Sequence, residues 1–208
     1  MKAPLLAAAA ALLLPACSTP GTGPVEAVPR EDGWRGIATA EDRERIREWR
    51  TAWKRGLARA GAAGHGQALA SEGVLLAPDA ALDAVAPPAG DYRCRTIKIG
   101  AKTEGLLEYI AYPAFRCRIG GGEGTREFAK LTGSQRPIGR LFPENERRMI
   151  FLGTVQLGDE KGTLRYGHDS DRAMAGILER VGDRRWRLVF PYPHYESVID
   201  VLELIPEG

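Results

Sequence analysis

"DYRCRTIKIG", residues 91–100, is answered a few turns of chain later by "AFRCRIG", residues 114–120. Successive side chains in a strand point to opposite faces. Each run therefore divides into a face with a cysteine and a face with two arginines. A turn near residues 105–106 makes the two runs an antiparallel hairpin with Cys94 directly opposite Cys117. Such a pair comes close enough for a disulfide. Tyr92, Cys94 and Thr96 then lie beside Phe115, Cys117 and Ile119, a mostly apolar face that should turn inward. The other face sets Arg93 against Arg118 and Arg95 against Arg116. Like charges directly opposite one another destabilise a strand pair, so these four arginines form a candidate anion-binding cluster. Their company is either carboxylates from neighbouring elements or an outside anion, such as the phosphate or carboxylate of a lipid headgroup or glycan. A one-residue slip would exchange the two faces.

The same texture continues to the C-terminus. Short β-rich runs are punctuated by Gly, Pro and Asp at intervals of roughly ten residues, which predicts an antiparallel barrel or sandwich. The expected strands are 91–99, 107–119, 126–132, 136–142, 148–157, 163–166, 173–181, 185–191 and 197–205, with turns at "GAKTEG" (100–105) and "GDR" (182–184). Residues 34–89 differ in texture. Thr39 is suited to an N-cap, with Glu41 and Asp42 in the first turn facing the helix dipole. Ile46, Trp49, Trp53 and Leu57 then form one apolar stripe at helical spacing. Gly61 is the expected stop, followed by a short helix near 65–72 and a turn at Pro78-Asp79. The paired tryptophans are read as packing residues, because an amphipathic stripe usually faces a core. The domain reading is thus a helical segment over 34–89 and a barrel over 90–208.

Before these lies a leader. Met1-Lys2 precedes an apolar run from Leu5 to Leu14, of signal-peptide length and shorter than the roughly 20 residues of a membrane span. It ends in "LLLPACS", where Leu14, Ala16 and Cys17 resemble a bacterial lipobox, although Pro15 departs from the small residue usual there. On that reading residues 1–16 are a lipoprotein signal peptide, Cys17 is lipidated, and the Pro-, Gly- and Ser-rich stretch up to residue 33 is a flexible tether. The alternative is ordinary secretory cleavage nearby. The chain has three cysteines; lipidation of Cys17 leaves Cys94 and Cys117 as an even pair in an oxidising compartment. The expected location is the periplasmic side of the cell envelope, and Ser18 in the position after the cysteine favours the outer membrane. Twenty-nine basic against 27 acidic residues give a formal net charge of +2, which carries no nucleic-acid footprint.

Other candidate sites are sparse. "KLTGSQRPIGRL" (130–141) holds Ser134, Gln135 and Arg136 between Gly133 and Pro137, either a tight strand connection or a polar binding corner. "PYPHYESVID" (191–200) is either a rigid Pro-bounded corner or a barrel mouth. "GGGEG" (120–124) reads as a hairpin loop. The acidic "DE" (159–160) and "HDSD" (168–171) lack the pattern of a calcium loop, and His65, His168 and His194 have no ligand spacing. No catalytic, cofactor or metal constellation is expected.

Together "DYRCRTIKIG", "YPAFRCRI", "KLTGSQRPIGRL", "FLGTVQLGDE" and "RWRLVFPYPHYESVIDVLELIP" resemble the secreted proteins of Gram-negative bacteria grouped as domain-of-unknown-function family 4893, over residues 35–206. The resemblance implies a secreted module and carries no assigned activity. A looser likeness is to calycins, since Gly90-Asp91-Tyr92 opens the first strand as their G-x-W does. The fold expected is a mainly β, calycin-like antiparallel barrel of about eight strands with an N-terminal amphipathic helix packed on it. The function expected is an envelope lipoprotein that binds a ligand, such as an anionic lipid or glycan, or an envelope protein partner, without catalysis. The alternatives are a hydrolase or transferase acting on envelope material, or a purely structural envelope protein. Intact-mass and peptide analysis of the exported protein should find Cys17 as an acylated N-terminus; an unmodified terminus elsewhere would rule the lipid anchor out.

Overall fold

The computed structural model describes residues 33–122 and 124–208. The expected leader, Cys17, almost all of the tether, and Glu123 of the 120–124 loop lie outside the described residues.

The strands are β1 (Gly90–Ala101), β2 (Tyr109–Ala111), β3 (Phe115–Gly120), β4 (Arg126–Lys130), β5 (Gln135–Asn145), β6 (Arg148–Leu157), β7 (Ala173–Gly182), β8 (Arg185–Pro191) and β9 (Ser197–Pro206). From β3 to β9 each pairs antiparallel with the next, and β9 returns to β1 from Tyr92↔Pro206 to Ala101↔Ser197. The result is a closed antiparallel eight-stranded barrel, with β2 as an extra short strand on the second half of β1. Closure gives each of the eight wall strands a neighbour on both sides, while β2 pairs only with β1.

Period-two alternation then sorts the side chains. Inside lie Tyr92, Cys94, Cys117, Phe128, Phe151, Trp186, Leu188 and Leu204, with the Phe128, Phe151 and Phe190 rings packed edge to face at 5.8 and 5.5 Å. Glycines floor this stack. A Cβ on Gly153 would sit 2.5 Å from the Phe151 ring and 2.3 Å from the Ile138 carbonyl. One end of the barrel is sealed: Trp186 Nε1 donates to the Val85 carbonyl (2.8 Å) and the Tyr92 hydroxyl to that of Pro88 (2.7 Å). Buried polar groups need such partners.

Outside, the helical segment covers Ile97, Ile99, Ile177, Val189, Ile199 and Val201. After a single turn, α1 (Trp34–Ile37), come α2 (Ala40–Arg47) and α3 (Trp49–Ala60). The Thr39 hydroxyl accepts from the Asp42 N–H at 3.1 Å, the expected N-cap. Gly56 lets α3 touch the barrel, since a Cβ on Gly100 would meet the Gly56 Cα at 2.9 Å. Trp53 is 1% exposed, its ring edge to face with Trp49 and its Nε1 donating to the Leu76 carbonyl at 3.1 Å. Both tryptophans are thus packing residues.

Four local expectations are corrected. The helical path does not stop at Gly61, which keeps helical angles; it breaks at Gly64 (φ 91°) before α4 (Gly66–Ser71). A left-handed residue at a helix end suits glycine. The expected strand 107–119 is split at 112–114, where Pro113 has no N–H for a ladder. Residues 163–166 form no strand; each of the eight wall strands already has two neighbours, and Tyr166 instead donates to Asp42 of α2 at 2.5 Å. The first hairpin is shifted by two residues: Cys94 lies opposite Phe115 and Cys117 opposite Tyr92. A shift of two preserves the faces. The cysteines are therefore diagonal neighbours, still joined by a disulfide with Cα atoms 5.9 Å apart.

The bridge spans a separation of 23 residues, which the chain-entropy account values at about 3 kcal/mol. Replacing both cysteines by Ala should lower the thermal midpoint by roughly 6–12 °C for a domain of this size, with the circular dichroism spectrum of the barrel retained. An unchanged midpoint would show that the closed wall already supplies the constraint.

Candidate functional site: a polar barrel mouth

The end opposite Trp186 stays open. Along the inward face of β1 the sequence passes from Tyr92 and Cys94 to Thr96 and Lys98, and along β9 from Leu204 and Leu202 to Asp200. β4 ends inward at Lys130, and β5 starts at Gln135. These groups line a cavity of about 150 Å³ walled by Tyr112, Phe115, Phe190 and Tyr195. That is roughly ten times the space one water requires.

Two lysines dominate it, at 7% and 6% exposure. The Lys98 ammonium donates to Gln135 Oε1 at 3.2 Å, pairs with Glu196 at 2.8 Å and stands 3.7 Å from an Asp200 oxygen. Burial lowers the pKa of Lys98, but Asp200 and Glu196 outweigh it and leave the group above its ordinary value. Burial pushes the Asp200 carboxyl up, against the pull of Lys98 and a hydrogen bond from Ser197 Oγ.

Lys130 is placed differently. Its ammonium donates to the main-chain carbonyl of the same Gln135 at 2.9 Å and lies 3.8 Å from the centroid of the Phe115 ring. Among the described residues no carboxylate lies within 4.0 Å of it. Burial, and then repulsion from Lys98, bring its pKa down to about 8. The chain bends past it at Gly133 (φ 94°), where a Cβ would stand 3.1 Å from the Lys130 nitrogen and 2.9 Å from the Phe115 ring. Glycine is needed there for both backbone and space.

The rim is the 192–196 corner. Tyr192 holds a left-handed backbone (φ 47°), its N–H bonded to the Val198 carbonyl at 2.8 Å. The Glu196 carbonyl accepts from the Lys102 N–H at 2.8 Å, and His194 contacts the Arg45 guanidinium of α2. Burial and that guanidinium hold the His194 pKa down, favouring the neutral ring. This corner is tied down by these contacts, and its residues 193–196 line the mouth.

The residues singled out from sequence divide. Ser134 and Gln135 line the cavity; Arg136 turns away and donates to the carbonyls of Leu157 (2.8 Å) and Glu160 (3.2 Å). The four arginines lie on the barrel's outer face. Arg95 is held between Glu72 (2.5 Å) and Glu203 (3.0 Å), and Arg118 pairs with Asp91 at 2.6 Å. Burial alone would raise the Glu72 pKa, yet hydrogen bonds from Arg95 and Tyr109 leave it below the ordinary range. Arg93 and Arg116 face each other across β1 and β3, exposed, and among the described residues neither forms an ion pair within 4.0 Å. His65 stacks against Tyr109. Among the described residues no cluster of three His, Cys, Asp or Glu side chains stands ready for a metal.

Lys98, Lys130 and Asp200 were not singled out from sequence, though a signal was present. Lys98 shares the parity of Tyr92 and Cys94, and Asp200 that of Leu202 and Leu204. A charge on the inward face of an otherwise apolar strand marks a lumen group.

Fold and site define a closed β-barrel sealed at one end, with a small polar cavity at the other. The chain belongs to the family described as a domain of unknown function, DUF4893, which matches residues 34–204. No curated protein and no solved structure gave a significant match.

The arginine pairings separate stability from surface charge. Arg95→Ala removes charge-assisted hydrogen bonds to two partly buried carboxylates and should cost about 2 kcal/mol in urea unfolding. Arg116→Ala should leave the midpoint unchanged. Equal losses would mean that the pairing does not decide the difference.

Proposed function

We propose that this chain is an exported binding protein of the cell envelope whose barrel mouth holds a small organic anion, with Lys130 as the anchor. The observation that carries the reading is the Lys130 ammonium: buried in the cavity wall, it has a carbonyl and a ring face for company, while among the described residues no carboxylate lies within 4.0 Å and Asp200 acts on it only from farther off. A buried cation is costly until something negative pairs with it. A carboxylate entering the mouth supplies that charge, while Tyr112, Phe115 and Tyr195 cover an apolar body. Such a combination of apolar wall and few placed polar groups suits small ligands. The lipobox-like Cys17 supports attachment to the periplasmic face of a membrane, the outer one by Ser18. The exposed Arg93 and Arg116 offer a second anionic contact, to a lipid headgroup, a glycan or an envelope protein.

Benzoate is a suitable probe. Calorimetry should show binding that Lys130→Met weakens by tenfold or more, the loss of about 1.5 kcal/mol or more expected for a charge-assisted contact. The pH dependence has a definite sign. Lys130 is protonated below its folded pKa of about 8, so affinity should be level at lower pH and fall as pH rises through 8. Binding favours the charged form and should take up protons near that pH. Benzoate that fails to bind, or binds equally to Lys130→Met, overturns the reading.

A further inference from the structure

The Lys130 environment is also suited to chemistry. We propose that Lys130 is a carbonyl-reactive amine: its Nζ, set in the cavity wall without a carboxylate partner and hung from the same glutamine as a second ammonium, condenses with a small aldehyde or ketone to form an imine. This rests on the mouth being a ligand site and adds a substrate class to it.

Three observations converge. Lys98 and Lys130 both bond Gln135, one through the side-chain oxygen (3.2 Å) and one through the main chain (2.9 Å), so two cations are held near each other. Lys98 has two carboxylates within 4.0 Å, and Lys130 has none that close among the described residues. A lysine that is desolvated and placed beside another cation is activated as a nucleophile. Its pKa of about 8 leaves about a tenth of the amine neutral at pH 7, against well under a thousandth for an ordinary lysine. Finally, Gly133 leaves the nitrogen uncovered by any side chain at that position.

The step balances without an oxidant or reductant. The neutral amine's lone pair attacks the carbonyl carbon, and the C=O π pair moves to oxygen, which takes a proton. The carbinolamine then loses that hydroxyl as water while nitrogen forms the C=N bond and sheds its proton. Asp200 lines the same cavity, and burial raises its carboxyl pKa. Its carboxylate can therefore take the proton that the attacking nitrogen sheds and pass it to the departing hydroxyl, acting first as base and then as acid.

Reductive trapping tests this. Benzaldehyde and sodium cyanoborohydride at pH 7, followed by peptide mass spectrometry, should place a benzyl adduct on Lys130. It should form roughly tenfold or more faster than on exposed lysines such as Lys54 and Lys161, as the larger neutral fraction requires. The rate should climb with pH and level off above 8. Lys130→Arg, shown folded by thermal melting, should abolish the fast adduct. Should that variant not fold, Lys98→Met serves: removing the repelling charge raises the Lys130 pKa, so its trapping at pH 7 should slow several-fold. Label spread evenly over the lysines overturns the proposal, as does fast trapping indifferent to Lys98. Benzoate calorimetry on the same sample separates the two readings. Benzoate bound without a fast adduct rejects the imine alone. A fast adduct on Lys130 without benzoate binding rejects the anion site alone.

Discussion

Barrel closure along β1 is the constraint from which the rest follows. One edge of this strand pairs with β9 over nearly its whole length; the other is shared by β3 and then β2. Once the wall is closed, every residue has an inside or an outside, and parity decides which. The lower turns of the lumen fill with Tyr92, the disulfide, Phe128, Phe151 and Trp186. The upper turns receive Lys98, Lys130 and Asp200 from three strands that are far apart in sequence. A sandwich of the same strands would have four open edges and no common lumen to gather them.

The helical segment depends on the wall in turn. Arg187, on the outer face of β8, is fully buried beneath it. Its guanidinium pairs with Glu179 at 2.6 Å and donates to the carbonyls of Leu75 (2.9 Å), Ala77 (2.6 Å) and Pro78 (3.1 Å), with the Trp53 ring 4.5 Å away. Arg148 adds a second contact to Glu179 at 2.8 Å. Few free carbonyls end a helix without partners, and here one arginine collects them. Removing one member of such a buried pair typically costs about 3–5 kcal/mol, because the other charge is stranded. Lys130 is the instructive contrast within the same barrel: the outer cation is saturated with acceptors and the lumenal one is not. Saturation suits a joint between elements, and an unfilled donor suits a site that accepts a ligand.

Much of this was legible in the sequence because it rests on local periodicity. The alternation in Arg-Cys-Arg assigned the cysteines and arginines to opposite faces, and those faces survive even though the register differs by two residues. The stripe Ile46, Trp49, Trp53 placed helical chain against the core, although two helices, α2 and α3, carry it where one was expected. Turn residues separated strands that do form, and Thr39 capped the helix it was expected to cap. Errors arose where a nonlocal partner decided the matter. Residues 163–166 have strand-like composition but are drawn to α2 through Tyr166, and residues 112–114 leave the ladder as β1 changes partners.

The polar mouth belongs to the second kind. Sequence alone determined that Lys98 and Asp200 share parity with apolar neighbours, and that Ser134-Gln135 and the 192–196 corner are polar turns. It did not determine that these meet. Charge pairing and desolvation depend on distances between strands, and those distances exist only once the wall has closed. Hence the tertiary structure decided that Lys98 keeps two carboxylates within 4.0 Å while Lys130 has none that close among the described residues, and that Arg95 is tied to Glu72 while Arg93 and Arg116 face outward. Periodicity is a property of the chain; the environment of a charge is a property of the space around it.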